Sequence, residues 1–113
     1  CFGAAVISVN NTRDLGTDAR AGKNTLAVIL GRPAMNAVYA VELLLPYVLL
    51  PVLAGIVGKG WELALPCLSA GLALPLCRRF AAMPPGTGFN DVLAETARLQ
   101  AIYALLLAIG LVL

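Results

Sequence analysis

Residues 34–58 read AMNAVYAVELLLPYVLLPVLAGIVG, and only Asn36 and Glu42 interrupt their apolar character. A helix over this run is long enough to cross a hydrocarbon core of about 30 Å with some tilt. That fact governs everything else in the chain, because a bilayer admits only structures that satisfy their own backbone hydrogen bonds. The apolar residues run on rather than alternate, which favours helix over a barrel strand. Further runs repeat the signal. Residues 61–80 have an apolar centre between Trp61 and the Arg78–Arg79 pair, an interfacial aromatic at one end and cations at the other. Residues 99–113 are apolar to the last position, and residues 1–9, CFGAAVISV, have the character of the end of another span. Pro46, Pro51, Pro66 and Pro75 lie within these runs, where packed membrane bundles tolerate them as kinks. The expected fold is an all-α membrane protein, a partial transmembrane bundle holding the end of one helix and three further spans. Composition agrees: 60% of the 113 residues are hydrophobic and 12% charged, against roughly 25% charged in soluble domains.

Lys and Arg distribute unevenly between the connecting segments. Residues 10–33 hold Arg13, Arg20, Lys23 and Arg32, and residues 78–98 hold Arg78, Arg79 and Arg98. The connector between the first two full spans has Lys59 alone. Two crossings put the first and third segments on one side, and the positive-inside rule makes that side cytoplasmic. The expected organisation is therefore a span end at 1–9, a cytoplasmic polar block at 10–33, spans at 34–58, 61–80 and 99–113, and a cytoplasmic loop and helix at 81–98. The expected location is a cell membrane of bacterial inner-membrane type. No charged n-region or small-residue cleavage site marks a signal peptide.

Absences narrow the chemistry. There is no His, which removes His-based acid–base catalysis, Ser–His triads and His-ligated metals from this chain. Cys1, Cys67 and Cys77 form no C-x-x-C pair, and within apolar runs they read as small hydrophobes. A net charge of +2 and basic residues explained by membrane orientation give no support to nucleic-acid binding.

The polar block NNTRDLGTDARAGKNTLAV at 10–28 is the exception in so oily a chain. Asp14 and Asp18 are four residues apart, so a helix would place them on one face, with Asn10 one turn earlier. Two like charges at that spacing disfavour a helix by about 0.2–0.5 kcal/mol, which a hard divalent cation would offset. Mg2+ suits carboxylate oxygens and keeps positions open for water and substrate phosphates. Arg13, Arg20 and Lys23 add positive charge suited to an anionic, oxygen-rich ligand such as diphosphate. Gly22 ends the helix and turns backbone N–H groups outward. The bland reading is a solvated loop in which Asp14 and Asp18 pair with the neighbouring cations and do nothing more.

The block N-N-x-R-D-x-x-x-D-x-x-x-G-K-x-T-L-A-V resembles the second aspartate-rich motif of the UbiA superfamily of intramembrane prenyltransferases. Its spelling is most like the menaquinone-pathway branch, the 1,4-dihydroxy-2-naphthoate polyprenyltransferases and their vertebrate relatives. FNDVLAETARLQ at 89–100 and LLLPY at 43–47 agree with the same branch. The resemblance implies a bundle of about nine helices around a cavity open to lipid and cytoplasm, with two aspartate-rich motifs that bind Mg2+ and a polyprenyl diphosphate. Diphosphate leaves, and the allylic cation alkylates an aromatic acceptor. In this branch the acceptor is 1,4-dihydroxy-2-naphthoate and its carboxylate departs as CO2. Carried over by motif, Asp14 and Asp18 are the catalytic Mg2+ ligands, Asn10 supports them, and Arg13, Lys23 and Arg20 hold diphosphate. Asn36, Tyr39 and Glu42 are candidates for the acceptor pocket by position, while Asn90 and Asp91 read as structural residues opening a helix.

Nothing here matches the family's first aspartate-rich motif, of N-x-x-x-D type. The chain is expected to be the C-terminal half of a longer protein, inactive without the missing N-terminal half. Other UbiA branches, with 4-hydroxybenzoate, homogentisate, chlorophyllide or haem as acceptor, are the nearest alternatives. A transporter fragment leaves the polar block unexplained, and a small non-enzymatic membrane protein makes it coincidence. A CDP-alcohol phosphotransferase needs a D-G-x-x-A-R pattern and further spaced Asp, which do not follow Asp18-Ala19-Arg20.

Overall fold

The computed structural model describes residues 1–113, and they are helical with no strand. The chain runs α1 (Phe2–Arg13), α2 (Leu15–Arg20), α3 (Leu26–Leu30), α4 (Arg32–Val48), α5 (Leu50–Val57), a 3-10 helix (Trp61–Ser69), α6 (Ala70–Ala82) and α7 (Phe89–Val112). Three stretches are long and apolar enough to cross a membrane: Arg32–Val57, Trp61–Ala82 and Phe89–Val112.

The expected boundaries need correction in several places, each with a local cause. The block at 10–33 is divided among the end of α1, all of α2 and α3, and the start of α4. Helix α1 continues to Arg13, and the chain turns at Asp14 (φ −95°, ψ 12°), which closes α1 and opens α2. Gly22 (φ 73°) follows the end of α2, and Thr25 caps α3 by accepting the Val28 N–H at 3.4 Å. The span expected at 34–58 begins at Arg32 and is broken at Leu49 into α4 and α5. Pro51 explains the break: it has no N–H to give the Tyr47 carbonyl, and its ring would clash there.

The span expected at 61–80 reaches Ala82, and its first nine residues form the tighter 3-10 helix. Pro66 supplies no N–H to the turn before it, and the Ser69 hydroxyl donates to the Pro66 carbonyl at 2.7 Å in the turn after it. At ~2.0 Å per residue this stretch gains length over an α-helix, so a modest run still crosses ~30 Å. No boundary divides 81–98 from 99–113. Helix α7 is continuous over 24 residues, about 36 Å at 1.5 Å per residue.

Only 22 of 113 residues are buried, and large apolar side chains such as Ile56, Leu68 and Val112 face outward. That surface suits lipid and would be untenable in water. The packed interior concentrates at two levels. Near one end, Tyr39 stacks on Phe80 at 4.1 Å and Phe89 meets Phe80 edge-on at 5.3 Å. Further along, Phe2, Tyr47 and Tyr103 form an edge-to-face trio. The Tyr103 hydroxyl donates to the Pro46 carbonyl at 2.8 Å. Thr96 donates to the Val92 carbonyl at 2.6 Å, leaving its oxygen to accept from the Tyr39 hydroxyl at 2.7 Å. Every polar group in that relay is spent, as an apolar interior requires.

Candidate functional site

Arg13 is the last residue of α1 and Asp14 the hinge beyond it. The guanidinium grips its neighbour in a fork, Nε to Oδ1 at 2.9 Å and Nη2 to Oδ2 at 3.0 Å. This bidentate geometry is the strong form of a charge-assisted hydrogen bond. It holds the Asp14 carboxyl below its ordinary value of 3.8, the Arg13 hydrogen bonds contributing most, desolvation opposing them, and the charges of Arg13 and Lys23 adding to the lowering. The remaining nitrogen, Nη1, donates to the Asn90 carboxamide oxygen at 3.0 Å. Residues 77 apart in sequence are thus joined. A cavity of about 320 Å³ opens here, lined by Arg13, Asp14, Thr17, Gly86, Thr87 and Asn90, with no apolar side chain among them.

The other expected site residues lie around this cleft or away from it. Asp18 stands on α2 with Lys23 Nζ at 3.7 Å, and the Lys23 N–H donates to the Asp18 main-chain carbonyl at 2.9 Å. Asn10 and Arg20 are exposed. The single uninterrupted helix expected to carry Asp14 and Asp18 is not formed, since Asp14 sits at the junction of α1 and α2. Each carboxylate has a cation of its own, which removes the like-charge conflict inferred from spacing. No group of three or more His, Cys, Asp or Glu side chains converges. Both Asp14 oxygens are engaged by Arg13, and Asp18 has only the Lys23 ammonium near it.

The three residues placed in an acceptor pocket lie along α4. Asn36 accepts from Arg32 Nε at 3.0 Å. Tyr39 is fully buried and its hydroxyl is committed to Thr96. Glu42 accepts a 2.7 Å hydrogen bond from the buried Ser8 hydroxyl of α1.

Sequence reasoning missed Thr17, Thr87 and above all Asn90, read as a residue that merely opens a helix. Asn90 does lie in the first turn of α7, but Gly88 is the capping position and the Asn90 oxygen serves Arg13. The signal that could have found it was the second matching stretch, FNDVLAETARLQ.

Comparison with known proteins finds similarity along most of the chain. It is 36% identical over 109 residues to UbiA prenyltransferase domain-containing protein 1 of Gallus gallus, covering 96% of this chain and 31% of that protein. The Homo sapiens protein of the same name is 34% identical over 109 residues, covering 96% and 30%. Its Drosophila melanogaster homolog is 40% identical over 76 residues, covering 67% and 21%. The chain spans about a third of the length of the Gallus gallus and Homo sapiens proteins and about a fifth of the Drosophila melanogaster homolog. They are animal proteins and give no support to the bacterial membrane expected above. No family model and no solved structure matches.

Proposed function

From membership of the UbiA superfamily, supported by these relatives, we propose that the protein to which this chain belongs is an intramembrane prenyltransferase. It moves a polyprenyl group from polyprenyl diphosphate to 1,4-dihydroxy-2-naphthoate, the menaquinone-type reaction. The allylic C–O bond to diphosphate breaks, a C–C bond forms at the carboxyl-bearing ring carbon, and CO2 and diphosphate depart. The observation that carries the reading is the polar cleft. It joins the N-N-x-R-D motif, through Arg13, to Asn90 of the second matching stretch.

In this reading Asp14 and Asp18 would hold Mg2+ with Asn10 in support, and the ion would supply Lewis-acid stabilisation of the departing diphosphate. Arg13 is oriented by Asp14 and Asn90, and the N–H groups left over from its five donors would serve phosphate oxygens. Lys23 and the exposed Arg20 add positive charge at the same polar end, which favours an anionic leaving group. The lipid-facing bundle receives the prenyl chain and keeps bulk water from the allylic cation. Of the three acceptor-pocket candidates Glu42 is best placed, because its carboxylate takes a single hydrogen bond within this chain. The motif end faces the cytoplasm, where the basic segments cluster.

The test is a membrane assay of the full-length protein with a labelled polyprenyl diphosphate, Mg2+ and a panel of acceptors. Prenylated, decarboxylated naphthoquinol supports the proposal. Product with 4-hydroxybenzoate or homogentisate instead would move it to another branch, and no product with any acceptor would remove it.

A further inference from the structure

Arg32 entered the sequence reading only as a basic residue in a charge count, yet its side chain donates three hydrogen bonds, as many as Arg13. Gly31 (φ 78°) turns the backbone between α3 and α4 and starts α4 with Arg32. A cation is disfavoured at the start of its own helix and favoured at the end of another. The side chain resolves this by reaching across to the end of α6. Nη2 donates to the carbonyls of Phe80 and Met83, the latter at 2.7 Å, and Nε donates to Asn36. The guanidinium lies 5.2 Å from the centre of the Phe80 ring and 4.9 Å from that of Phe89. Nη1 is buried without a partner, so the other donors and the two rings hold the group.

These contacts bracket the connector 83–88, with Phe80 and Met83 at its start and Phe89 just beyond its end. The connector has few other restraints. Pro84 and Pro85 have no N–H, Gly86 has a positive φ of 146°, and the regular bonds begin only with Phe89 N–H to Gly86 O and Asn90 N–H to Thr87 O. Gly86, Thr87 and Asn90 are half the lining of the polar cleft.

We propose that Arg32 is a positioning residue that pins both ends of the 83–88 connector and so sets Gly86, Thr87 and Asn90 against Arg13 and Asp14. The inference rests on reading the cleft as the diphosphate site. Lysine cannot replace the residue fully, since its ammonium has no planar fork to serve Asn36 and two carbonyls while lying over two rings.

The experiment uses the full-length protein in nanodiscs, as wild type, Arg32→Gln and Arg32→Lys. Amide hydrogen exchange is followed in a peptide over 83–92 and in a control peptide over α5, alongside steady-state kinetics with polyprenyl diphosphate. Losing charge-assisted hydrogen bonds should speed exchange in 83–92 by about tenfold in Arg32→Gln, with Arg32→Lys between it and wild type. The control peptide should not change. KM for polyprenyl diphosphate should rise by a similar factor while kcat moves by less than about threefold. Unchanged exchange at 83–92 overturns the proposal, and so does equal acceleration at α5, which marks global loosening. If Arg32→Gln does not fold, Arg32→Lys carries the same two readouts. Should wild type transfer no prenyl group, the exchange data still decide the role of Arg32, and only the functional reading falls.

Discussion

Replacing Tyr39 with Phe removes one oxygen from a fully buried site, and the structure sets the size and asymmetry of the effect. The Tyr39 hydroxyl donates to Thr96, whose own proton goes to the Val92 carbonyl. Tyr39→Phe therefore strands no donor and loses one neutral hydrogen bond, worth about 1 kcal/mol. Thr96→Val is the harsher change, because it leaves the tyrosine O–H buried with nothing to accept it, about 2 kcal/mol. The double variant removes both partners and keeps the packing, so its cost should fall to about 1 kcal/mol, well short of additive. Denaturant unfolding of the full-length protein in mixed micelles, followed by the fluorescence of the helical core, would measure all three. The reasoning is refuted if Tyr39→Phe costs as much as Thr96→Val, or if the two costs simply add. The same variants bear on chemistry. With its hydroxyl spent inside the core, Tyr39→Phe should leave KM for the aromatic acceptor within about twofold, whereas loss of an acceptor contact would raise it.

Asp14 supplies a pH prediction. Its folded carboxyl lies below 3.8, chiefly through Arg13, so stabilisation from this pair is complete above the unfolded value and disappears as pH falls through the folded one. Arg13→Gln should move the Asp14 carboxyl titration, read by carbon NMR of labelled aspartate, upward toward 3.8; an unmoved titration would show that Arg13 is not the cause. Gly110 tests the close packing of α7 on the 3-10 helix, since a Cβ there would run into the Glu62 carbonyl oxygen. Gly110→Val should lower stability by roughly 1–3 kcal/mol through overpacking in the same unfolding assay, and a neutral result would mean that the two segments separate easily.

The membrane spans were legible because continuous apolar runs admit few other interpretations. Their internal breaks were not. Proline in a membrane run signals a tolerated kink, but whether the chain bends, restarts as at Leu49, or tightens into a 3-10 helix as at Trp61–Ser69 depends on neighbours. The Ser69 hydroxyl, for example, meets the Tyr47 hydroxyl of α4 at 2.8 Å, and nothing local in the sequence announces that contact. The first half of the candidate site was visible because Arg13, Asp14 and Asp18 fall in one short polar block. The second half was hidden, since Asn90 and Arg32 act through partners 77 and 51 residues away. Charge spacing left two readings of Asp14 and Asp18, a shared cation or pairing with neighbouring basic side chains, and the structure pairs Asp14 with Arg13 and Asp18 with Lys23.

The claim at the centre of this account is that the Asp14–Asp18 block binds Mg2+ and diphosphate for prenyl transfer. It is tested most directly by titrating Mg2+ into prenyl-transfer assays of the full-length protein as wild type, Asp14→Asn and Asp18→Asn. The account predicts Mg2+-dependent product in wild type, abolished by chelation, and a loss of about a hundredfold or more in each variant. Wild-type rates in either variant, or transfer indifferent to Mg2+, would contradict it.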